Sequence, residues 1–352
     1  MKLIVVGTGA RGREWAQLAS KQRRVEVVAV VKSEVVQGEE STEADAKTSS
    51  KNRIFPSLGE ALSDAEAEGA IIAGPAADRG RQALEALRAG LGVLVETPLA
   101  LTVREALEIL KTARQSGKPV IVAQNSRYGW AESRLKDFVR QGRVGQVIQA
   151  SFMDWRKQAS EENWLTKTDH AQLLDKAIDH FDGIRSILGL NPVSLIAEIQ
   201  NDPWSIYRHG SITQSMIELE QRVHVLYYGS VTSAQDQHET RVEGEKGVLW
   251  TDRKMVWWRK RGWPRFIPLL VKRPRASERQ HRRRLLELMK GALQGRPIEM
   301  DDREVLWPIA MSEAVIQSAR EGRPVEVASV HTVAGRPNAT GEVSFQAGAK
   351  GN

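Results

Sequence analysis

Gly7-Thr8-Gly9-Ala10-Arg11-Gly12 sets three glycines at the spacing that brings backbone against a diphosphate. The first permits a tight turn, the second lets the chain approach the anion, and the third lets a helix sit close on the preceding strand. A helix opening there offers unbonded N–H groups and a partial positive charge. About 20 residues on, an acidic side chain usually takes a ribose 2′-hydroxyl. Here Lys32 and Ser33 stand there, a cation beside a hydroxyl donor. That pair suits a 2′-phosphate, so the expectation is NADP or NAD, with NADP preferred. Two plainer readings stay open: Lys32 is a solvated strand end, or Glu34 serves the hydroxyl.

The second concentration of chemistry is Asp175, Lys176, Asp179 and His180. On an α-helix Lys176 and His180 are four residues apart, as are Asp175 and Asp179, so each pair shares a face. An imidazole or a lysine can take a hydroxyl proton, and a lysine cation stabilises an alkoxide. Two neighbouring carboxylates push one pKa upward and make an acid or base. Against this, His180 beside Phe181 also reads as a buried histidine, and Asp182 with Arg185 as a helix-surface ion pair.

These residues need a scaffold. Residues 2–6, 25–31, 71–73, 93–95 and 120–123 are short apolar runs; helical stretches at 11–21, 81–89 and 103–113 lie between them. That alternation predicts right-handed crossovers and a parallel, doubly wound sheet over residues 1–123. From 124 the texture changes. Helices are expected at 130–140 and 173–188, strands at 147–152, 194–200, 211–219, 222–231, 247–251 and 254–258, and two late helices at 278–293 and 303–321. This predicts an α+β domain over 124–328 with a largely antiparallel open sheet. Residues 329–352, rich in Gly, Ala, Ser and Thr, are expected to be a flexible tail.

Composition narrows the function classes. The 352 residues include no cysteine, which excludes disulfides, thiolate metal sites and a cysteine nucleophile. The histidines show no paired ligand spacing, so no metal is expected. No apolar run reaches the ~18–20 residues of a membrane span, and nothing after Met1 reads as a signal peptide, so a cytoplasmic protein is expected. The net charge of +7 is concentrated in 253–284, among Trp257, Trp258 and Trp263. Such a segment binds polyanions in some proteins. Solvated faces and subunit contact explain it as well, so nucleic acid is not the expected partner.

A family pattern runs through residues 1 to about 328. It comprises Val5-Val6-Gly7-Thr8-Gly9, Ala86-Leu87-Arg88-Ala89-Gly90, Val93-Leu94-Val95-Glu96-Thr97-Pro98, Gln124-Asn125-Ser126-Arg127-Tyr128, the stretch 173–182, Val242-Glu243-Gly244 and Gly322-Arg323-Pro324-Val325. In these the chain resembles the glucose–fructose oxidoreductase/inositol dehydrogenase (Gfo/Idh/MocA) family. The resemblance implies a Rossmann domain, a C-terminal α/β domain whose open sheet forms homo-oligomer contacts, and NAD(P)-dependent hydride transfer to or from a sugar, inositol or derivative. It carries cofactor contacts to Gly74, Pro75, Glu96, Thr97, Pro98 and Asn125. It also exposes departures. Thr97 stands where the family has lysine, Asp179 where it has a histidine base, and Arg79 where histidine is common. Lys176 with His180, or Asp175 with Asp179, would then take the catalytic roles. The alternative is a degenerate, non-redox member that binds nucleotide or sugar, or an interaction subunit.

On the substrate side, Trp155 and Trp164 are expected near the cleft, where indole faces stack on sugar rings. Arg127 and Tyr128 follow the sixth strand, at the ligand-facing edge of a parallel sheet. Arg156, Lys157 and Lys167 flank them and suit a carboxylate or phosphate on the sugar. Aromatic packing between domains is the plainer reading.

Overall fold

The computed structural model describes residues 1–32, 53–158, 164–269, 278–297 and 302–327. Ser33, Glu34 and the expected tail lie outside the described residues. The first sheet has six parallel strands: β1 (Lys2–Val6), β2 (Glu26–Val31), β3 (Arg53–Phe55), β4 (Gly69–Ile72), β5 (Gly92–Val95) and β6 (Val120–Val122). Their order is β3-β2-β1-β4-β5-β6. Strand order reverses beside β1, which opens a crevice at the carboxyl ends of β1 and β4. β4 and β5 are buried along their whole length because helices cover both faces. These helices are α1 (Ala10–Ser20), α2 (Leu58–Asp64), α3 (Ala76–Arg88) and α4 (Val103–Ser116). The Thr102 hydroxyl caps α4 by accepting from the Glu105 amide, and Gly117 ends it at φ 64°.

After a 3-10 turn, Asn125–Tyr128, come α5 (Trp130–Arg140), β7 (Val147–Lys157) and α6 (Ile178–Leu188). The second sheet adds β8 (Pro192–Gln200), β9 (Ile212–Leu219), β10 (Val223–Ser233), β11 (Gln237–Gly244), β12 (Gly247–Thr251), β13 (Val256–Lys260), β14 (Ile267–Pro268) and β15 (Val325–Glu326). Its order is β14-β13-β12-β11-β7-β10-β9-β8-β15, antiparallel throughout except where β7 runs parallel to β10. The α/β architecture read from the sequence, a Rossmann sheet followed by a largely antiparallel one, is the observed one. α8 (Asp302–Glu321) lies on β8 and α6, and α7 (Glu278–Leu293) returns to α1 and β5.

Local differences matter for the site. β3, α2 and β11 were not expected. β7 extends five residues past its expected end at 152. The helix expected at 173–188 opens instead with a π turn, Leu173–Ala177, before α6. A π turn holds more residues than an α turn, so four-residue spacing across it no longer fixes a common face.

Candidate active site

The glycine turn has the shape its spacing requires. Gly7 sits at φ 121°, and a Cβ there would lie 3.0 Å from the Ala73 carbonyl. A Cβ on Gly12 would lie 1.8 Å from the Gly7 oxygen, so glycine alone lets α1 pack on β1. Gly9, the N-cap of α1, faces open space: a Cβ there meets nothing within 4 Å. No side chain caps this helix and no acidic residue occupies its first turn. The cradle thus offers backbone donors and room for a diphosphate, and it fits a dinucleotide. Thr8 and Ala10 flank Gly9 in this turn; the Thr8 carbonyl accepts from Arg13 at 3.0 Å, and Arg11 pairs with Glu14 at 3.4 Å while its charge also reaches Arg79. Lys32 lies exposed just past β2. Beyond β6, Gln124 Oε1 and Asn125 Oδ1 are buried without a partner, two acceptors facing no described donor.

The loops after β4 and β5 are joined by one side chain. Arg79, 6% exposed, donates from Nε to the Gly74 carbonyl at 2.9 Å and from Nη1 to the Thr97 carbonyl. Its burial lowers its pKa to about 10, opposed by Glu96, Asp179 and Asp175. Glu96 is buried and accepts from the Trp15 indole at 2.6 Å. Pro75 opens α3 as its N-cap, and a cis peptide joins Thr97 to Pro98.

Asp179 meets these loops. The residue keeps partial exposure, but its Oδ1 is shut from solvent and has no partner. Burial pushes its pKa up to about 7, against the pull of Lys176 and of a hydrogen bond from the Thr97 side chain; Glu96 and Asp182 push it further up. The three family departures therefore lie together: Arg79 donates to the Thr97 carbonyl, and the Thr97 side chain helps lower the Asp179 pKa. Lys176 pairs with Asp175 at 3.2 Å, both partly exposed.

His180 goes elsewhere. It is buried, its Nδ1 is 3.0 Å from the Tyr227 hydroxyl, and its Nε2 is 3.9 Å from Asp154 Oδ1. Burial holds its pKa well below the usual value, so it is neutral at pH 7. Lys176 stands in the π turn and pairs with Asp175, whereas His180 turns inward to Tyr227 and Asp154, so the two go to different partners rather than acting together as α-helical spacing implied. Asp154 also approaches His238 Nδ1 at 3.1 Å. His180, His238 and Asp154 each bring one potential metal ligand within 4.8 Å of the others, a convergence from three elements that histidine spacing does not show. Yet Arg156 holds both Asp154 oxygens, at 2.8 and 3.0 Å, and Arg253 Nη1 lies 3.5 Å from Oδ1. Burial alone would raise the Asp154 pKa, but the His238 hydrogen bond and the Arg156 fork hold it well below the carboxylate range. Guanidinium groups fill the side a metal would need, and the donor set fits an ion-pair hub better.

The expected substrate residues divide. Strand alternation puts Asp154 and Arg156 on the face of β7 toward α6 and turns Trp155 to the other face, where it packs on Tyr228 at 5.7 Å. Trp155 is thus directed away from Asp179, and Arg156 replaces it on the cleft side. Trp164 opens a 3-10 turn, Trp164–Lys167. Arg127 forks onto Asp182 at 2.6–2.8 Å and also reaches Glu304, which Arg185 contacts at 3.1 Å. Arg127 is therefore engaged in holding the post-β6 turn to α6 and α8, and Asp182 pairs with it rather than with Arg185. Tyr128 lies under Arg284, 4.7 Å from ring centre to guanidinium.

Much of the basic segment is also used internally. Arg253 binds Glu132 at 2.7 Å, Arg261 the carbonyls of Glu245 and Gly244, and Arg282 Glu14 at 2.8 Å. Trp257 stacks on Trp250 at 4.2 Å. Among the described residues no helix is long and apolar enough to cross a membrane.

The comparisons agree with this architecture. The model of the oxidoreductase family, NAD-binding Rossmann fold, matches residues 1–124, and that of its C-terminal alpha/beta domain residues 136–327. An uncharacterized protein of Sinorhizobium fredii is 24% identical over 93% of this chain and 95% of its own. A 1,5-anhydro-D-fructose reductase of Ensifer adhaerens is 25% identical over 55% of this chain, which spans 58% of that enzyme's length. The crystal structure of GenD2 from gentamicin A biosynthesis, in complex with NAD, shares the fold at TM-score 0.77 and 21% identity, covering 93% of this chain and 96% of that one. With both domain models matched in order over most of its length, the chain belongs to the Gfo/Idh/MocA oxidoreductase family.

Proposed function

We propose that the protein is an NAD(P)-dependent oxidoreductase that moves hydride to or from a hydroxyl-bearing carbon of a sugar, inositol or sugar derivative. When bound, the dinucleotide supplies the hydride acceptor or donor. The glycine turn holds its diphosphate, Lys32 meets the ribose 2′ position and favours NADP, and Gly74, Pro75, Glu96, Thr97, Pro98 and Asn125 border its nicotinamide end. Asp179 takes the hydroxyl proton in oxidation and returns it in reduction. The Thr97 hydroxyl orients that carboxylate. Lys176, between Asp175 and Asp179, supplies positive charge to a developing alkoxide. Arg156, fixed by Asp154, borders the substrate.

The observation that carries this reading is the Asp179 carboxyl: half-buried, one oxygen without a partner, and poised near pH 7 beside Thr97. A base works best when its pKa lies near the working pH. The 1,5-anhydro-D-fructose reductase among the relatives supports a sugar-like substrate. The test is reduced-nicotinamide absorbance against a panel of sugars, inositols and sugar acids. Turnover that falls about 10²–10⁴-fold in Asp179→Asn supports the base; unchanged turnover refutes it. The loss of both usual catalytic groups favours the second reading, a non-redox member, and coenzyme binding without turnover on any of these sugars would establish it.

We further propose a homo-oligomer through the open face of the second sheet. Ile196, Met216 and Leu226 lie in register across β8, β9 and β10, with Met216 55% and Leu226 51% exposed. A contiguous exposed apolar row of this kind marks an interface.

A further inference from the structure

Gln124 stands just past the end of β6 and is 3% exposed, yet its Oε1 has no partner among the described residues. A buried acceptor without a hydrogen bond is costly, and a methionine of similar length would avoid that cost. The orphaned oxygen calls for a donor that arrives with a ligand. Its place in the fold narrows the choice. Val95 pairs with Val122, so Thr97 and Gln124 each lie two residues beyond that rung. Strand alternation sends both to the side of Val95 and Val122, whose apolar cluster includes Ile178 of α6. Leu94, Ile121 and Ala123 face the other way, into the cluster of Trp15 on α1. The contacts obey this alternation: Glu96 turns to the Trp15 indole, and the Thr97 side chain acts on Asp179. The turn that follows Gln124 is fastened to α6 by the Arg127 fork on Asp182. Donors near this strand end are already committed: Arg79 to the Gly74 and Thr97 carbonyls, and Arg127 to Asp182 and Glu304.

We propose that Gln124 is a positioning residue for the coenzyme: its Oε1 accepts an N–H from the nicotinamide carboxamide and so fixes how the ring is turned before Asp179. This rests on the dinucleotide reading. A primary carboxamide carries the N–H that the orphaned oxygen lacks, whereas a diphosphate offers acceptors only. The oxygen is already shut from water, so the bond forms at little desolvation cost and discriminates against a ring substituent that cannot donate. Ribose and sugar hydroxyls are donors too, and the choice of coenzyme analogue separates them from the carboxamide.

The experiment is calorimetric titration of the full chain with three probes, each with and without the 2′-phosphate. They are NAD⁺, its 3-acetylpyridine analogue, in which a methyl ketone replaces the carboxamide, and ADP-ribose, which lacks the ring. The parent chain should bind NAD⁺ about tenfold more tightly than the analogue, a comparison that needs no variant. In Gln124→Met the two should bind alike, with ADP-ribose bound as by the parent; Gln124→Glu, which keeps an acceptor, should keep the preference. Failure of the parent to bind any probe overturns the dinucleotide reading itself. ADP-ribose binding with no preference for the carboxamide, or a preference that Gln124→Met retains, overturns the role of Gln124 and leaves that reading standing.

Discussion

Replacing Asp179 with asparagine should stabilise the protein at alkaline pH while removing its chemistry. The folded-state pKa of Asp179 is about 7, against the ordinary aspartate value of 3.8. A pKa raised on folding means that the native state binds the proton more tightly. The stability linked to it is fully present below the unfolded pKa and is lost as pH rises through the folded one. Taking these two values, the loss is about 2 kcal/mol by pH 5.5 and roughly 4 kcal/mol by pH 8.5, at about 1.4 kcal/mol per unit. Between those pH values the parent should therefore lose about 2 kcal/mol that Asp179→Asn, with nothing to ionise, does not lose. Denaturant melts of both proteins at pH 5.5, 7 and 8.5 measure the difference without any substrate. Parallel stability curves for the two proteins would show that Asp179 is an ordinary carboxylate and would remove the argument for it as a base.

Other perturbations separate fold from function. Gly9→Ala places its methyl in open space, so it should melt like the parent yet bind NAD(P)H at least about tenfold more weakly, whereas Gly12→Ala meets the Gly7 carbonyl and should lower the melting temperature. Lys32→Glu should reverse a preference for NADPH over NADH in fluorescence titrations; an unchanged ratio would assign Lys32 to solvent. Glu304→Gln leaves Arg127 and Arg185 short of one carboxylate and should cost on the order of 2–4 kcal/mol in denaturant melts, while a cost near zero would mean that the network is loosely held. Met216→Glu with Leu226→Glu should yield monomers in sedimentation, and an unchanged mass would place any interface elsewhere.

The Rossmann half was legible because its signals are local. β1, the glycine turn and α1 follow one another within 20 residues, and buried parallel strands read as unbroken apolar runs. The second sheet was legible in outline, since most of its strands carry β-branched or alternating patterns. The site was read less completely, for physical reasons. Lys176 and His180 fit one helical face only if the helix is regular, and nothing in Leu173–Ala177 announces a π turn. The partners of His180 are Asp154 and Tyr227, 26 and 47 residues away on two strands, so no spacing rule finds them. The Arg127–Glu304 contact spans 177 residues. Trp155 is a different case. Once residues 147–157 are read as one strand, alternation alone sends Trp155 and Arg156 to opposite faces, and the expected end at 152 hid that.

The central claim is that the glycine cradle at the start of α1 holds a dinucleotide whose nicotinamide end reaches Thr97 and Asp179. A crystal structure of the full chain soaked with NADP⁺ or NAD⁺ tests it most directly. The account predicts diphosphate density against Gly9 and the first turn of α1, with the nicotinamide beside the Thr97–Asp179 pair. Coenzyme density absent at millimolar soaking, or a nicotinamide ring turned away from Asp179, would contradict it.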